Sequence, residues 1–298
     1  MPADRRHRPP ADVSVIVPAK DRERFVAEAV RSALGQEGCR VEVIVVDDRS
    51  ADGTAAAVGA ILDERVRLLE GPGRGPGAAR NVAIRAARSP LLAFLDSDDV
   101  FEPGKLARQL ELLAARPDAG LAYTGHAFFG DVVPPPRPEG PEDRLADGYG
   151  KLFLRPYFLT SSVVARREVI EAAGAFDERL PLVEDYDLYL RAAAAAAIVG
   201  DPAALVRVRR HSSNLTSGDR LRLAILRKRV VRRNLERFGS GVPPPLERWR
   251  LANLEYTIGA LLLERAERKR SRLYFARARR SRPFWLKAWK GTVAAMFG

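Results

Sequence analysis

The sequence predicts an α/β fold class: a Rossmann-like, mostly parallel sheet flanked by helices, followed by a basic helical extension at the C-terminus. Three observations carry this reading. Short β-branched runs alternate with stretches of helical period through the first 116 residues, polar and often acidic residues follow each run at once, and positive charge gathers in the last third of the chain.

The elements can be justified in order. The runs VSVIVPA (13–19), VEVIVVDD (41–48), VRLLEG (66–71) and LLAFLD (91–96) are mainly apolar, as parallel strands are when helices cover both faces. Between them, residues 23–36, 53–64, 77–88 and 103–116 repeat their apolar positions with the period of a helix. Ligands of such sheets sit beyond the carboxyl ends of the strands, so residues 18–22, 47–52, 71–77 and 96–99 are expected along one edge. A fifth run, AGLAYTGHAFFG (119–130), continues the pattern, and the Pro-rich segment 134–141 reads as a loop or crossover. FLTSSVVA (158–165) and a helix from about Arg167 to Ala173 follow. LPLVEDYDLYLRAAAAAA (180–197) reads as a helix with acids in its first turn, where the helix dipole favours them. After an apolar-basic alternation, VRVRR, residues 220–238 and 246–282 carry long Arg-rich helical patterns. The chain divides on this reading into a flexible N-terminus (1–12), an α/β domain (13–212) and a helical basic region (213–298).

Composition narrows the function classes. At 298 residues and 46% hydrophobic, the chain can bury one large α/β core with an appendage. Its single cysteine, Cys39, excludes an internal disulfide and a cysteine-based zinc site. MPADRRHRPPAD has no apolar run of the signal-peptide kind, and no uninterrupted apolar stretch reaches the length of a spanning helix. The formal net charge is +12, but from Leu205 onward there are 24 Lys+Arg against 6 Asp+Glu, and before it 26 against 32. An acidic body with a basic tail implies an anionic partner for the tail, either lipid head groups or nucleic acid.

Five places carry candidate chemistry. Asp96-Ser97-Asp98-Asp99 puts three carboxylates straight after a buried strand, so the cluster must be solvated or hold a cation. A hard divalent ion of the Mg2+ or Mn2+ kind takes one or two carboxylates plus substrate phosphates, which an Asp-x-Asp on a strand end supplies. The plainer alternative is a solvated turn, with Asp99 capping the helix that starts near Pro103. In GPGRGPGAARN (71–81), Gly73-x-Gly75-x-x-Ala78 lies between a strand and a helix, with Asp96 about twenty residues on, a spacing like that of a dinucleotide-binding fingerprint. It follows the third strand rather than the first, two prolines stiffen it, and its acid belongs to the acidic cluster, all of which count against a dehydrogenase. Asp48 ends the second strand, where a carboxylate can accept hydrogen bonds from a base or ribose, while Asp52 reads as a helix cap. Glu184-Asp185 suits the start of a helix as well as catalysis. His211 is a lone histidine, for which a structural role competes with a ligand role.

Taken in order, VSVIVPAKDRERFVAEAVRSALGQ, EVIVVDDRSADGT, GAARNVAIRAARSPLLAFLDSDDVFEPGKLARQLELL and VVARREVIEAAGAFDERLPLVEDYDLYLR resemble the inverting glycosyltransferase family 2, whose members have the nucleotide-sugar-binding GT-A fold. Together these segments cover most of residues 13–191. The resemblance implies that Pro18 and Ala19 line the nucleotide, that Asp48 contacts the base, and that Arg74 belongs to the same pocket. It makes Asp96 and Asp98 the family's Asp-x-Asp, with Asp98 the direct ligand of Mn2+ or Mg2+. Asp185 becomes the catalytic base with Glu184 beside it, and His211 approaches the metal or the diphosphate. Two departures fall in the nucleotide pocket: Lys20-Asp21 stands where the family usually has an aromatic residue and Asn, and Arg49 where it usually has Gly.

The activity implied is metal-dependent, inverting transfer of a hexosyl group from a nucleotide-sugar, with UDP the expected nucleotide, to an acceptor hydroxyl in cell-surface glycan or glycolipid synthesis. The expected location is the cytoplasm, peripheral on the cytoplasmic membrane face, because FWLKAWKGTVAAMF (284–297) follows the basic run 268–282. Two other readings stay open at this point: a sugar nucleotidyltransferase sharing the sheet and acidic site, and a non-enzymatic protein whose tail binds nucleic acid or another anionic surface. The tail lacks the aromatic-interleaved basic module that stacks bases, so nucleic acid is the weaker partner.

Overall fold

The computed structural model describes residues 11–131, 146–211 and 219–297. Residues 1–10 of the expected N-terminal tail and the Pro-rich segment 134–141 lie outside the described residues. The chain forms two compact units. One holds residues 11–131, 158–181 and 191–211, and the other 146–157, 182–190 and 219–297.

The first unit is built on eight described strands: β1 (Val13–Ala19), β2 (Val41–Asp47), β3 (Val66–Glu70), β4 (Leu91–Phe94), β5 (Val100–Phe101), β6 (Ala119–Gly130), β7 (Val163–Arg166) and β8 (Ala197–Arg210). They form one sheet in the order β3-β2-β1-β4-β7-β6-β8-β5. The β3-β2-β1-β4 half is parallel throughout, with Val13 opposite both Val41 and Leu91. Strand β7 runs antiparallel between β4 and β6, β8 returns parallel to β6, and β5 is antiparallel to β8. The sheet is therefore mixed but mostly parallel.

Every residue of β1 is buried because both faces are covered. Val13, Val15 and Val17 share a core with Val26, Ala29, Val30 and Ala33 of α1 (Val26–Leu34) and with Leu106 and Leu113 of α4 (Lys105–Ala115). Helix α3 (Pro76–Ala86) lies against β1 and β2, on the face to which the alternation of a strand turns Ile16. The shorter helices α2 (Thr54–Gly59) and α6 (Arg167–Ala172) fall where the helical period places them. Helix α4 is also tied down by polar groups: the buried Gln109 amide donates to the carbonyls of Ala122 and Ser162, both at 2.8 Å, and accepts from Lys105 Nζ at 2.7 Å.

One expectation fails at the alanine run. Helix α7 (Glu184–Ala193) stops short, and Ala197 instead starts β8 opposite Ala119. Alanine's helix propensity amounts to only tenths of a kcal/mol per residue, and a central strand's ladder outweighs it.

The second unit contains α5 (Tyr149–Leu154), the first turns of α7, α8 (Arg220–Phe238), α9 (Pro244–Glu264), α10 (Arg268–Ser281) and α11 (Leu286–Phe297). The helical pattern over 246–282 is interrupted. Ala266 takes a left-handed φ of 58° and the Glu267 N–H reaches back to the Leu262 carbonyl at 2.9 Å, a helix-ending turn with no glycine to announce it. Leu221, Ala224, Ile258, Leu261 and Leu262 form the core between α8 and α9. Beside it the buried Glu255 carboxylate pairs with Lys228 at 2.8 Å and Arg232 at 3.3 Å. Phe275 of α10 fits against Gly259 and Gly291, where a Cβ would stand 3.0 Å and 2.6 Å from its ring. Among the described residues no helix is long and apolar enough to cross a membrane.

Candidate active site

In the first unit, the segments that follow β1, β2 and β4 and the end of β8 meet at the carboxyl edge of the parallel half. The acidic turn after β4 is held from two sides. Asp99 Oδ2 accepts from Ser161 Oγ at 2.5 Å and Asp99 Oδ1 from the Arg209 N–H at 2.9 Å. Burial pushes the Asp99 carboxyl well above its ordinary range, and repulsion from Asp96 and Asp98 adds to this. Asp99 is therefore not a helix cap: α4 begins after Gly104 with no side-chain cap, and the hydroxyl and amide partners draw Asp99 into the interior.

The neighbouring acids point to different partners. Asp98 Oδ2 lies 2.9 Å from His211 Nε2 and 3.3 Å from Arg22 Nε. Asp96 Oδ1 pairs with Arg80 at 2.6 Å, and the buried Arg80 guanidinium stacks 5.2 Å from the Phe176 ring. The structure thus brings Asp98 and His211 together and turns Asp96 toward α3. Arg209 braces the group: its Nε donates to the Asp98 carbonyl at 3.0 Å, its guanidinium lies between the rings of Phe25 (4.8 Å) and Phe129 (4.3 Å), and it pairs with Glu28. Phe25 in turn stacks on His211 at 5.1 Å.

The glycine-rich loop is shaped by Asp48. Its two carboxylate oxygens accept from the N–H groups of Gly73 and Gly75, each at 2.7 Å, and its own N–H bonds the Ala19 carbonyl at 2.7 Å. Pro18 and Ala19 are buried at the end of β1. Arg74 points out of the loop to Glu178 at 2.9 Å, and Glu178 also accepts from Asn81 at 3.0 Å, so the loop is anchored at its tip as well. Gly71 is a point of close approach: a Cβ there would stand 2.7 Å from Asp48 Oδ1 and 2.9 Å from Asp48 Cα. Gly71→Ala is expected to cost roughly 1–3 kcal/mol, as overpacking in a closed site does, and a lowered midpoint in denaturant checks it.

The two departures from the family pattern share a backbone feature. Asp21 has φ 52° and Arg49 φ 61°, both left-handed. Asp enters that region more readily than most residues, and here Asp21 is held by a distant segment, accepting from the Ala51 N–H at 2.8 Å. Arg49 occupies a conformation natural to Gly at a cost of roughly 1–2 kcal/mol, and its side chain lies along Gly73.

Glu184 and Asp185 open α7 and belong to the second unit. Glu184 is buried, whereas Asp185 is partly exposed and accepts from the Tyr186 N–H at 2.6 Å. Asp187, one turn further in the same acidic start, is wholly buried against Arg233 and Asn234. Arg227 of α8 keeps contact with solvent, yet surrounding protein pulls its pKa down; Arg250 adds to this, and Asp185 and Tyr186 oppose it.

Arg22, Arg80, Arg209 and Ser161 went unforeseen. Two signals could have found two of the arginines: Arg80 sits near the start of α3 after the glycine-rich loop, and Arg209 stands two residues before His211 on a strand, hence on the same face.

Proteins of known structure share this architecture. The chain superposes on residues 1–349 of TarS from S. aureus, solved with UDP-GlcNAc, with a TM-score of 0.63 at 18% identity, covering 96% of this chain and 90% of that one. It also superposes on the mannosyltransferase PcManGT from Pyrobaculum calidifontis, solved with GDP-Man and Mn2+, with a TM-score of 0.65 at 22% identity, covering 97% and 81%. The fold is that of the GT-A glycosyltransferases. The chain belongs to glycosyl transferase family 2, whose sequence profile matches residues 14–172, more than half of its length. Relatives include two succinoglycan biosynthesis proteins of Rhizobium meliloti: ExoO, 52% identical over 101 residues (34% of this chain), and ExoU, 38% identical over 209 residues (63% of this chain). The chain spans only 29% and 58% of their respective lengths.

Among the described residues no group of three or more His, Cys, Asp or Glu side chains is arranged to hold a metal ion. The pair Asp98 and His211 nonetheless fits a divalent ion that completes its shell with diphosphate oxygens, because one carboxylate with substrate phosphates is a usual arrangement.

Proposed function

We propose that the chain is a metal-dependent, inverting glycosyltransferase that moves a hexosyl group from a nucleotide-sugar, with UDP the expected nucleotide, to an acceptor hydroxyl during synthesis of a cell-surface polysaccharide or glycolipid. The proposed location is the cytoplasm, at the inner membrane face. The observation that carries the chemistry is the convergence of Asp98, His211 and Arg22 at the carboxyl edge of a family 2 sheet. Relatives named for succinoglycan biosynthesis support the polymer class, and neighbours solved with UDP-GlcNAc and with GDP-Man support a nucleotide-sugar donor.

The reaction displaces a nucleoside diphosphate from the anomeric carbon. Asp98 and His211, with Asp96 nearby, would hold a Mn2+ or Mg2+ ion, which supplies Lewis-acid neutralisation of the departing phosphate charge. Arg22 adds a fixed positive charge at the same place. Pro18, Ala19 and the loop braced by Asp48 line the nucleotide, with Asp48 at the base and Arg74 a weaker candidate for the same pocket. Asp185 removes the acceptor hydroxyl's proton as the new bond to the anomeric carbon forms and the bond to the diphosphate oxygen breaks, with Glu184 beside it. One displacement inverts the centre.

A thermal-shift panel tests this. The native state should be stabilised by nucleoside diphosphates and nucleotide-sugars more strongly with manganese than without, because a ligand that binds only the folded protein raises its melting temperature. Preference for a nucleoside triphosphate, with pyrophosphate leaving it as a sugar phosphate takes up the nucleotidyl group, would replace transfer by nucleotidyl transfer.

A further inference from the structure

Helix α11 leaves one face bare. Ala288, Thr292 and Ala295 are buried, Gly291 sits against the Phe275 ring, and this side packs on α9 and α10. On the opposite side Leu286, Trp289, Val293 and Met296 follow at helical spacing, with 73%, 48%, 53% and 51% of their surfaces exposed. Phe284, just ahead of the helix, is 97% exposed. Five large apolar groups this close together are not the scattered hydrophobes of an ordinary surface.

The rim is cationic. Lys287 and Lys290 are exposed beside the stripe, and the Arg279 guanidinium lies 4.1 Å from the centre of the Trp289 ring. The Trp289 Nε1–H donates to the Pro283 carbonyl at 2.7 Å, which fixes the ring at the edge of the stripe. From Arg268 to Gly298 the chain has ten Lys and Arg and no Asp or Glu.

We infer that this face of α11, with Phe284, is a docking surface for an anionic lipid bilayer. Leu286, Val293, Met296 and Phe284 enter the boundary between head groups and acyl chains, Trp289 sits at the interface, and Lys287, Lys290 and the α10 arginines meet lipid phosphates. A nucleic acid would use the charge but would leave Leu286, Val293 and Met296 in water, and Arg279 already covers the Trp289 ring. This deepens the proposed location at the membrane. It does not depend on the transfer chemistry, since vesicle binding is read without any sugar nucleotide.

The test sediments the full chain with vesicles of phosphatidylcholine alone and of phosphatidylcholine with phosphatidylglycerol. The chain should bind the anionic vesicles with a blue shift of tryptophan fluorescence, and bind neutral ones far less. The combined change Phe284→Ser, Leu286→Ser, Val293→Ser should weaken binding about tenfold or more. The charge reversal Lys287→Glu, Lys290→Glu should weaken it separately. Both variants should melt with the wild type, because every replaced side chain is exposed. Equal recovery on neutral vesicles, unchanged binding by the apolar variant, self-association through this face without vesicle binding, or binding to an RNA homopolymer in place of vesicles would each overturn the assignment. A chain that binds vesicles but ignores every donor would keep it and lose the transferase reading instead.

Discussion

Asp98→Ala should reduce transfer by roughly 10³-fold or more and remove the manganese-dependent part of nucleotide binding, while the melting temperature stays near that of the wild type. The large effect follows from what meets at this carboxylate: His211 at 2.9 Å and Arg22 at 3.3 Å converge on one oxygen, so alanine leaves two cationic or metal-binding groups without their centre. The small effect on stability follows from how the turn is built. Asp99 keeps Ser161 and the Arg209 amide, and Arg209 keeps the main-chain carbonyl of residue 98, all of which survive truncation of the side chain. Calorimetry of UDP with and without manganese, beside a transfer assay, reads both. Full activity in the variant, or wild-type activity unaffected by excess chelator, would remove the metal from the proposal.

Asp185→Asn should leave donor and metal binding intact and lower turnover by roughly 10²–10⁴, the usual worth of a positioned base. The substitution keeps the oxygen that accepts the Tyr186 N–H, so the start of α7 is preserved while the capacity to take a proton is lost. Two neighbours provide the controls. Glu184→Gln changes a buried group that points elsewhere around the helix and should be milder. Asp187→Asn weakens a buried ion pair with Arg233 and should show itself as lost stability rather than lost turnover. Retained turnover in Asp185→Asn together with loss in Glu184→Gln would move the base to Glu184. If both remained active, the acids of this helix would be structural.

Strands β1, β2 and β4 were legible because burial on both faces leaves a near-continuous apolar run, whereas β3, at the edge of the sheet, is only partly buried. The acidic turn was legible for the opposite reason, as three charges where a strand should have continued. The two-residue β5 is too short for any period to register. The start of β8, Ala197-Ile198-Val199-Gly200, runs on directly from a stretch of alanines that reads as helix, and its pairing with β6 marks where the strand begins. The division of labour among the three acids was hidden as well. Ser161 lies 62 residues from Asp99, and Arg209 lies 110 away, so what sends Asp99 inward and leaves Asp98 at the edge is chemistry supplied from distant parts of the chain. Likewise, nothing in VVDDRS says that Asp48 will clamp two amides of a loop more than twenty residues on.

The order of the sheet also sets a timetable for synthesis. Strands β1 to β4 can pair as soon as residue 94 has been made, but Asp98 must wait a further 113 residues for His211, and β5 has no partner until β8 arrives. Contacts this far apart close slowly, since a long loop must be ordered before any of them forms. A nascent chain therefore carries Asp98 without His211, and without the Arg209 that braces it, until those 113 residues have been made. On the proposed site, a fragment cut at residue 172, where the family profile ends, would include the Asp-x-Asp but lack Asp185 and His211, so the proposal predicts that a minimal catalytic piece runs through His211.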